Sequence, residues 1–136
     1  MKVEILNAVN PASQQIFEHV ESTPQSELPK MVEKAAKAQK KWAAQTYQER
    51  GVYLKKLKDL VIERGEEIAE TVSKGMGKPL VESYLFGVNL VAEDLEEYSE
   101  KAGIYLADED VLTPEYLGEN KKALVRYTPR GVVAVI

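Results

Sequence analysis

The chain closes on Gly131-Val132-Val133-Ala134-Val135-Ile136, an unbroken apolar run set behind a Pro129-Arg130 turn. Valine and isoleucine dominate the run and no polar residue interrupts it, so it reads as a strand covered on both faces. Strands of that kind belong to parallel sheets with helices on each side. Such a strand needs neighbours, and none follows it within the sequence. The expectation is a chain standing at the threshold of a second, sheet-forming unit, with much of the functional chemistry beyond Ile136.

Upstream of this run the pattern is mainly helical. From about Ser26 to Met76, Leu28, Met31, Val32, Ala35, Ala38, Gln39 and Trp42 share one helical face, with Lys30, Lys34, Lys37 and Lys41 largely opposite. Thr46-Tyr47-Gln48-Glu49 is a capping box, in which hydroxyl and carboxylate satisfy each other's free amides at a helix start. Leu54, Leu57 and Val61 continue the apolar face beyond it, and Gly65 marks a break or kink before Ile68, Ala69 and Val72. Gly75-Met76-Gly77-Lys78-Pro79 then ends one helix with glycine and opens the next with proline. From there Val81, Tyr84, Val88, Val91, Leu95, Tyr98 and Ala102 recur at steps of three and four, which predicts a helix of about six turns packed along its length. The ends of the chain read as strands and turns. Asn10-Pro11-Ala12-Ser13 separates two short strands, the second over Ile16 to Val20. Thr113-Pro114-Glu115 and Gly118-Glu119-Asn120 punctuate the far end, where Leu124 to Tyr127 alternates like a half-buried strand.

Composition excludes several classes. A net charge of −4 gives no basic footprint for nucleic acid. No apolar stretch approaches the ~20 residues of a membrane span. Cysteine is absent, so there is no thiolate nucleophile, disulfide framework or cysteine metal site, and a reducing, cytoplasmic setting is expected.

The residues offer little chemistry of their own. His19 is the single histidine, and beside Phe17 and Val20 it reads as structural. Glu93, Asp94, Glu96 and Glu97 read as a solvated helix face. Gly75-Met76-Gly77-Lys78 lacks the spacing and the trailing Ser or Thr of a phosphate loop, so it reads as a turn between helices. Phe86 and Leu90 stand apart: four residues apart, they form a second apolar strip displaced from the main seam. That strip either widens the core contact or lines a pocket.

In order along the chain, Asn10-Pro11-Ala12, the helix ending near Trp42, Gly77-Lys78-Pro79, Ala102-Gly103 and Pro129-Arg130-Gly131-Val132-Val133-Ala134-Val135-Ile136 resemble the amino-terminal part of the aldehyde dehydrogenase superfamily. The resemblance covers essentially the whole chain. It implies an α/β parent fold, within which this segment is mainly α-helical with short β-hairpin strands and the first strand of a parallel nucleotide-binding sheet. The implied organisation is hairpin strands over 1–23, a helical part of the cofactor-binding domain over 24–103, oligomerisation strands over 104–130 and the first sheet strand over 131–136. It also implies NAD(P)-dependent oxidation of a small-molecule aldehyde to a carboxylic acid through a cysteine thiohemiacetal and thioester, in a homo-oligomer without nucleic-acid or membrane partners.

No catalytic residue carries over, because the family's Cys, Glu and Asn lie downstream of Ile136. Ile136 corresponds to a cofactor-contacting position at a strand's carboxyl end. Phe86 and Leu90 correspond to positions lining the substrate tunnel. Gly75 stands where relatives commonly carry an acid, some of them near a monovalent cation, so no metal is expected. The alternative reading is a non-catalytic helical interaction or oligomerisation module. On either reading the isolated chain is expected to be inactive and to self-associate or partly misfold because of its unpaired apolar strand.

Overall fold

Two hydrogen-bonded devices set the course of the chain, one at each end of its first three helices. The computed structural model describes residues 4–112 and 122–135. Thr113-Pro114-Glu115, Gly118-Glu119-Asn120 and the cofactor position Ile136 lie outside the described residues.

Strands β1 (Ile5–Val9) and β2 (Ile16–Glu21) pair antiparallel, with a bulge at Ala8/Val9. The turn between them is built by Asn10, whose side-chain Oδ1 accepts from the backbone N–H groups of Ala12 (2.9 Å) and Ser13 (3.3 Å). An asparagine that bonds its own backbone two residues on substitutes for a ladder bond and reverses the chain. Helix α1 (Leu28–Ala43) carries proline in its first turn. At the start of α2 (Tyr47–Glu63) the capping box is complete: Thr46 Oγ1 accepts from Glu49 N at 3.1 Å, and Thr46 N donates to Glu49 Oε2 at 2.7 Å. Arg64 leaves helical geometry and α3 (Gly65–Met76) starts at the expected break.

Gly77 ends α3 in the left-handed region at φ 67°, its N–H donating to Ser73 O at 2.8 Å. A Cβ there would come within 2.8 Å of Pro11 Cγ and 3.2 Å of Ala12 N. The Asn10-Pro11-Ala12 turn and the Gly77-Lys78-Pro79 turn, distant in sequence, are therefore one contact, and glycine is what lets them close.

Beyond Pro79 a single helical rod runs to Tyr105, as α4 (Leu80–Tyr84), a π-turn (Leu85–Asn89) and α5 (Leu90–Tyr105). It extends one residue before and three residues beyond the predicted seam of Val81 to Ala102, and its buried line differs. The buried positions are Ser83, Val88 and Ala92, continued by half-buried Leu95, Ser99 and Ala102, whereas Val81, Val91 and Tyr98 are exposed. The apolar seam and the contact line coincide at only some positions because the tightest contact selects small residues. Gly51 of α2 is buried against α5, and a Cβ on it would collide with the Ser99 carbonyl oxygen. Small residues at the crossing let the two backbones close to this distance.

Short strands β3 (Glu109–Val111) and β4 (Ala123–Val125) pair antiparallel, inside the segment expected to be strand-forming. Arg126 clamps Asp108 with Nη2 2.6 Å from Oδ2, and Tyr127 OH donates to Glu109 Oε1 at 2.8 Å, fastening the end of this ribbon where β3 begins and β4 ends. Val132–Val135 pairs with neither described sheet. A ladder needs a neighbour about 4.8 Å away, and among the described residues these have none.

Burial is correspondingly thin. A compact monomer of 15.2 kDa would expose roughly 7,100 Å² by the scaling of surface with mass, yet this chain exposes 11537 Å². Helix α1 has no buried residue at all; Leu28, Met31 and Val32 face outward, and Trp42 is held mainly by an edge-on contact with Tyr53 at 5.4 Å between ring centres.

Across the α2–α5 crossing, Lys58 Nζ donates to Glu96 Oε2 at 2.5 Å and Lys55 Nζ to Glu100 Oε1 at 2.8 Å. The Lys58 hydrogen bond holds the Glu96 carboxyl below its ordinary value, and Glu96 raises the Lys58 ammonium in return. The Thr46 backbone N–H lowers Glu49 in the same way. A carboxyl depressed in the folded state stabilises the fold above its unfolded value and loses that contribution as pH falls through the lower folded value. The raised lysine contributes below its unfolded value and loses that contribution only in alkali.

Two outcomes follow. Gly51→Ala forces the crossing apart and should lower stability by about 2 kcal/mol in urea unfolding; an unchanged midpoint would show that the helices have room to spare. Glu96→Gln should lower the urea midpoint at neutral pH and make its decline shallower below about pH 4, the usual carboxylate range. Identical acid limbs for the two proteins would contradict the assignment.

Candidate functional site

Phe86 lies in the π-turn and Leu90 opens α5. Each is two residues from Val88, which is only 1% exposed, so both occupy the side of the rod opposite the core. They are 61% and 46% exposed respectively. Of the two readings open from the sequence, widening the core contact is therefore not what this strip does here. It presents an apolar surface outward, four residues apart on one face.

Neither residue lines either of two clefts formed among the described residues. The first, about 470 Å³, lies between α1, α2, the end of α5 and the chain after β4. Trp42, Tyr47, Tyr98 and Tyr127 supply much of its wall, with Arg50 and Arg130 as its cations. The Arg50 guanidinium stacks 4.7 Å above the Tyr47 ring, a cation–π contact that fixes both groups. The second, about 590 Å³, lies between α3 and α4 over Ala69, Leu80, Val81, Tyr84 and Leu85, with Glu66 and Glu70 beside them. The sequence reading did not single out Arg50 or Tyr127. Their only signal was position beside Gly51 and the Pro129-Arg130 turn.

The described residues do not make up a dinucleotide site. The first cleft is walled mainly by apolar and aromatic groups, and one of its two cations is already stacked on tyrosine. No described strand opens at its carboxyl end onto a glycine-rich helix start, the arrangement that seats a pyrophosphate. Ile136, the one position assigned to the cofactor, is not among the described residues.

The remaining candidates are structural. His19 Nδ1 lies 2.8 Å from Asn7 Oδ1 across the hairpin and pins the two strands. Glu96 pairs with Lys55 and Lys58, while Glu97 pairs with Lys101 and accepts from Tyr105 OH. The acidic face of α5 is thus a charged, ion-paired surface. Ser73 Oγ donates to Lys78 O at 2.7 Å, tying the Gly77-Lys78-Pro79 segment into a turn between helices. Among the described residues no three His, Asp or Glu side chains converge as metal ligands would. None of the described helices is long and apolar enough to cross a membrane.

Several solved structures share this fold. An aldehyde dehydrogenase from Brucella melitensis biovar abortus 2308 is 29% identical with a TM-score of 0.70, the match covering 82% of this chain and 23% of that one. An NAD-dependent benzaldehyde dehydrogenase from Corynebacterium glutamicum is 22% identical with a TM-score of 0.69, over 82% of this chain and 24% of that one. A succinic semialdehyde dehydrogenase from Streptococcus pyogenes, solved in complex with NADP+, is 22% identical with a TM-score of 0.71, over 87% and 25% respectively. The chain spans about a quarter of the length of these structures. A sequence model of the aldehyde dehydrogenase family matches residues 2–136, including every segment that carries the resemblance. The chain belongs to the aldehyde dehydrogenase family.

Proposed function

We propose that this chain is the amino-terminal segment of an NAD(P)-dependent aldehyde dehydrogenase that oxidises an aldehyde to a carboxylic acid. The observation that carries the proposal is the outward apolar strip of Phe86 and Leu90, on a rod whose opposite side is packed, in a chain matched end to end by the family. Exposed side chains of this size are costly in water unless something covers them. In this reading they form one wall of the aldehyde pocket, where they exclude water and set its width. By the family resemblance Ile136 would border the cofactor, NAD or NADP, whose chemistry when bound would be to take up the hydride released as the substrate is oxidised.

The covalent step belongs to residues outside this sequence. The chain has no cysteine, so it cannot supply the thiolate that forms a thiohemiacetal and then a thioester. Its own part is the scaffold: one wall of the pocket and the helices on which the nucleotide-binding sheet rests. We further propose that the β3–β4 ribbon pairs across a homo-oligomer. A two-stranded sheet leaves an unpaired edge on each strand, which a partner strand can extend.

Reading the gene beyond Ile136 and assaying the longer product tests the proposal. The expected result is aldehyde-dependent NAD(P)H formation by the longer protein and none by residues 1–136 alone. Within the longer protein, Phe86→Ala and Leu90→Ala should change the relative kcat/KM of bulky and small aldehydes by about tenfold, the scale set by a few methylenes in a pocket. Turnover by the purified 136-residue chain, or side-chain truncations that leave selectivity untouched, would overturn it.

A further inference from the structure

The rod from Leu80 to Tyr105 does not keep an α-helical rhythm in what it buries. Ser83, Val88 and Ala92 are all buried, and they are five and then four residues apart. At 3.6 residues per turn a step of four returns to nearly the same face, while a step of five overshoots by roughly 140°. Along an unbroken α-helix the nine steps from Ser83 to Ala92 would set the two residues on opposite sides. Both halves of the rod are nevertheless packed, α4 against α3 and α5 against α2. The π-turn reconciles them: the Leu90 N–H donates to Leu85 O, five residues back, and the wider turn absorbs one surplus residue.

That surplus residue does nothing for the core. Ser83 Oγ, just before the turn, is buried without a hydrogen-bond partner, so a second local cost coincides with the first. Strained and irregular turns persist where the surrounding structure over-determines them, and they gather at binding sites. Here the segment carries Phe86, with Leu90 immediately after it.

We propose that the π-turn is a positioning device for aldehyde selectivity, setting the spacing and angle at which Phe86 and Leu90 face the substrate. The inference rests on the reading that these two side chains wall the aldehyde pocket. It adds that their register, and not only their identity, decides which aldehydes fit. Deleting Gly87 makes Ser83 and Val88 four residues apart, which an α-helix satisfies, so both halves can stay packed. Phe86 is then three residues from Leu90 instead of four, rotated by about 100° relative to it. Gly87 is a suitable position for a control as well: a Cβ there would meet the Val72 methyl groups at an ordinary 3.9 Å. Gly87→Ala therefore changes the residue and keeps the register.

The test uses the longer enzyme and the ratio of kcat/KM for an aromatic aldehyde to that for a short straight-chain aldehyde. Deletion of Gly87 is expected to shift the ratio by about tenfold, with Gly87→Ala staying within roughly twofold of the parent. Deletion of Asn89 also sets Phe86 and Leu90 three residues apart, with Val88 then three residues from Ala92 instead of four, and it serves if the first deletion does not fold. A folded deletion that lowers both kcat/KM values equally, while Phe86→Ala still shifts the ratio, overturns the register proposal alone. If Phe86→Ala and Leu90→Ala also leave the ratio unchanged, the pocket reading falls and takes this proposal with it. Failure of both deletions to fold would overturn the proposal too, because it requires that the shorter rod still pack.

Discussion

The crossing of α2 and α5 at Gly51 and Ser99 is the contact on which the rest of the structure depends. It brings two backbones together where any side chain on residue 51 would meet a carbonyl oxygen. The ion pairs of Lys55 and Lys58 with Glu96 and Glu100 span the same crossing. Close packing of small residues gains dispersion contacts over many atoms, and each contact is weak. The crossing therefore holds mainly by fit, and the half-exposed ion pairs add a smaller share. From this contact α5 runs back through the π-turn to α4, which covers α3, and α3 ends at the Gly77 turn that seats the hairpin.

Much of this architecture was legible because it rests on local rules. The Thr46–Glu49 box, the Gly65 break, the glycine end of α3 and the Asn10-Pro11 reversal each follow from how one or two side chains serve nearby backbone groups. The long helix was legible from its period. What escaped were features decided by tertiary contact. The seam of Val81, Tyr84, Val91 and Tyr98 marks the apolar residues of the rod, but close packing selects Ser83 on α4 and Ala92 and Ser99 on α5, which a hydrophobic pattern ignores. The π-turn escaped for the same reason: it appears only when the five-residue step from Ser83 to Val88 is known to be buried at both ends. The contact between the two family-like turns joins residues more than sixty positions apart and leaves no periodic trace. As for the candidate site, Phe86 and Leu90 were legible as a strip off the main seam, while the facing of that strip needed the structure.

The breadth of outward apolar surface joins fold to function. Helix α1, the Phe86–Leu90 strip and Val132–Val135 lie at separate places, and each exposes side chains that belong in an interior. Natural monomers seldom leave such patches open. The chain spans about a quarter of the length of its structural relatives; under the proposed function, the rest of the aldehyde pocket and the nucleotide-binding sheet would cover these faces.

Amide hydrogen exchange on the 136-residue chain tests this account most directly, because local stability should follow the packing. The α2 and α5 amides around Gly51 and Ser99 should be the slowest to exchange, with α1 and residues 132–135 exchanging fast. Protection of α1 and residues 132–135 equal to that of α2 and α5 would contradict it, since those segments would then have a stable core without the contacts proposed to cover them.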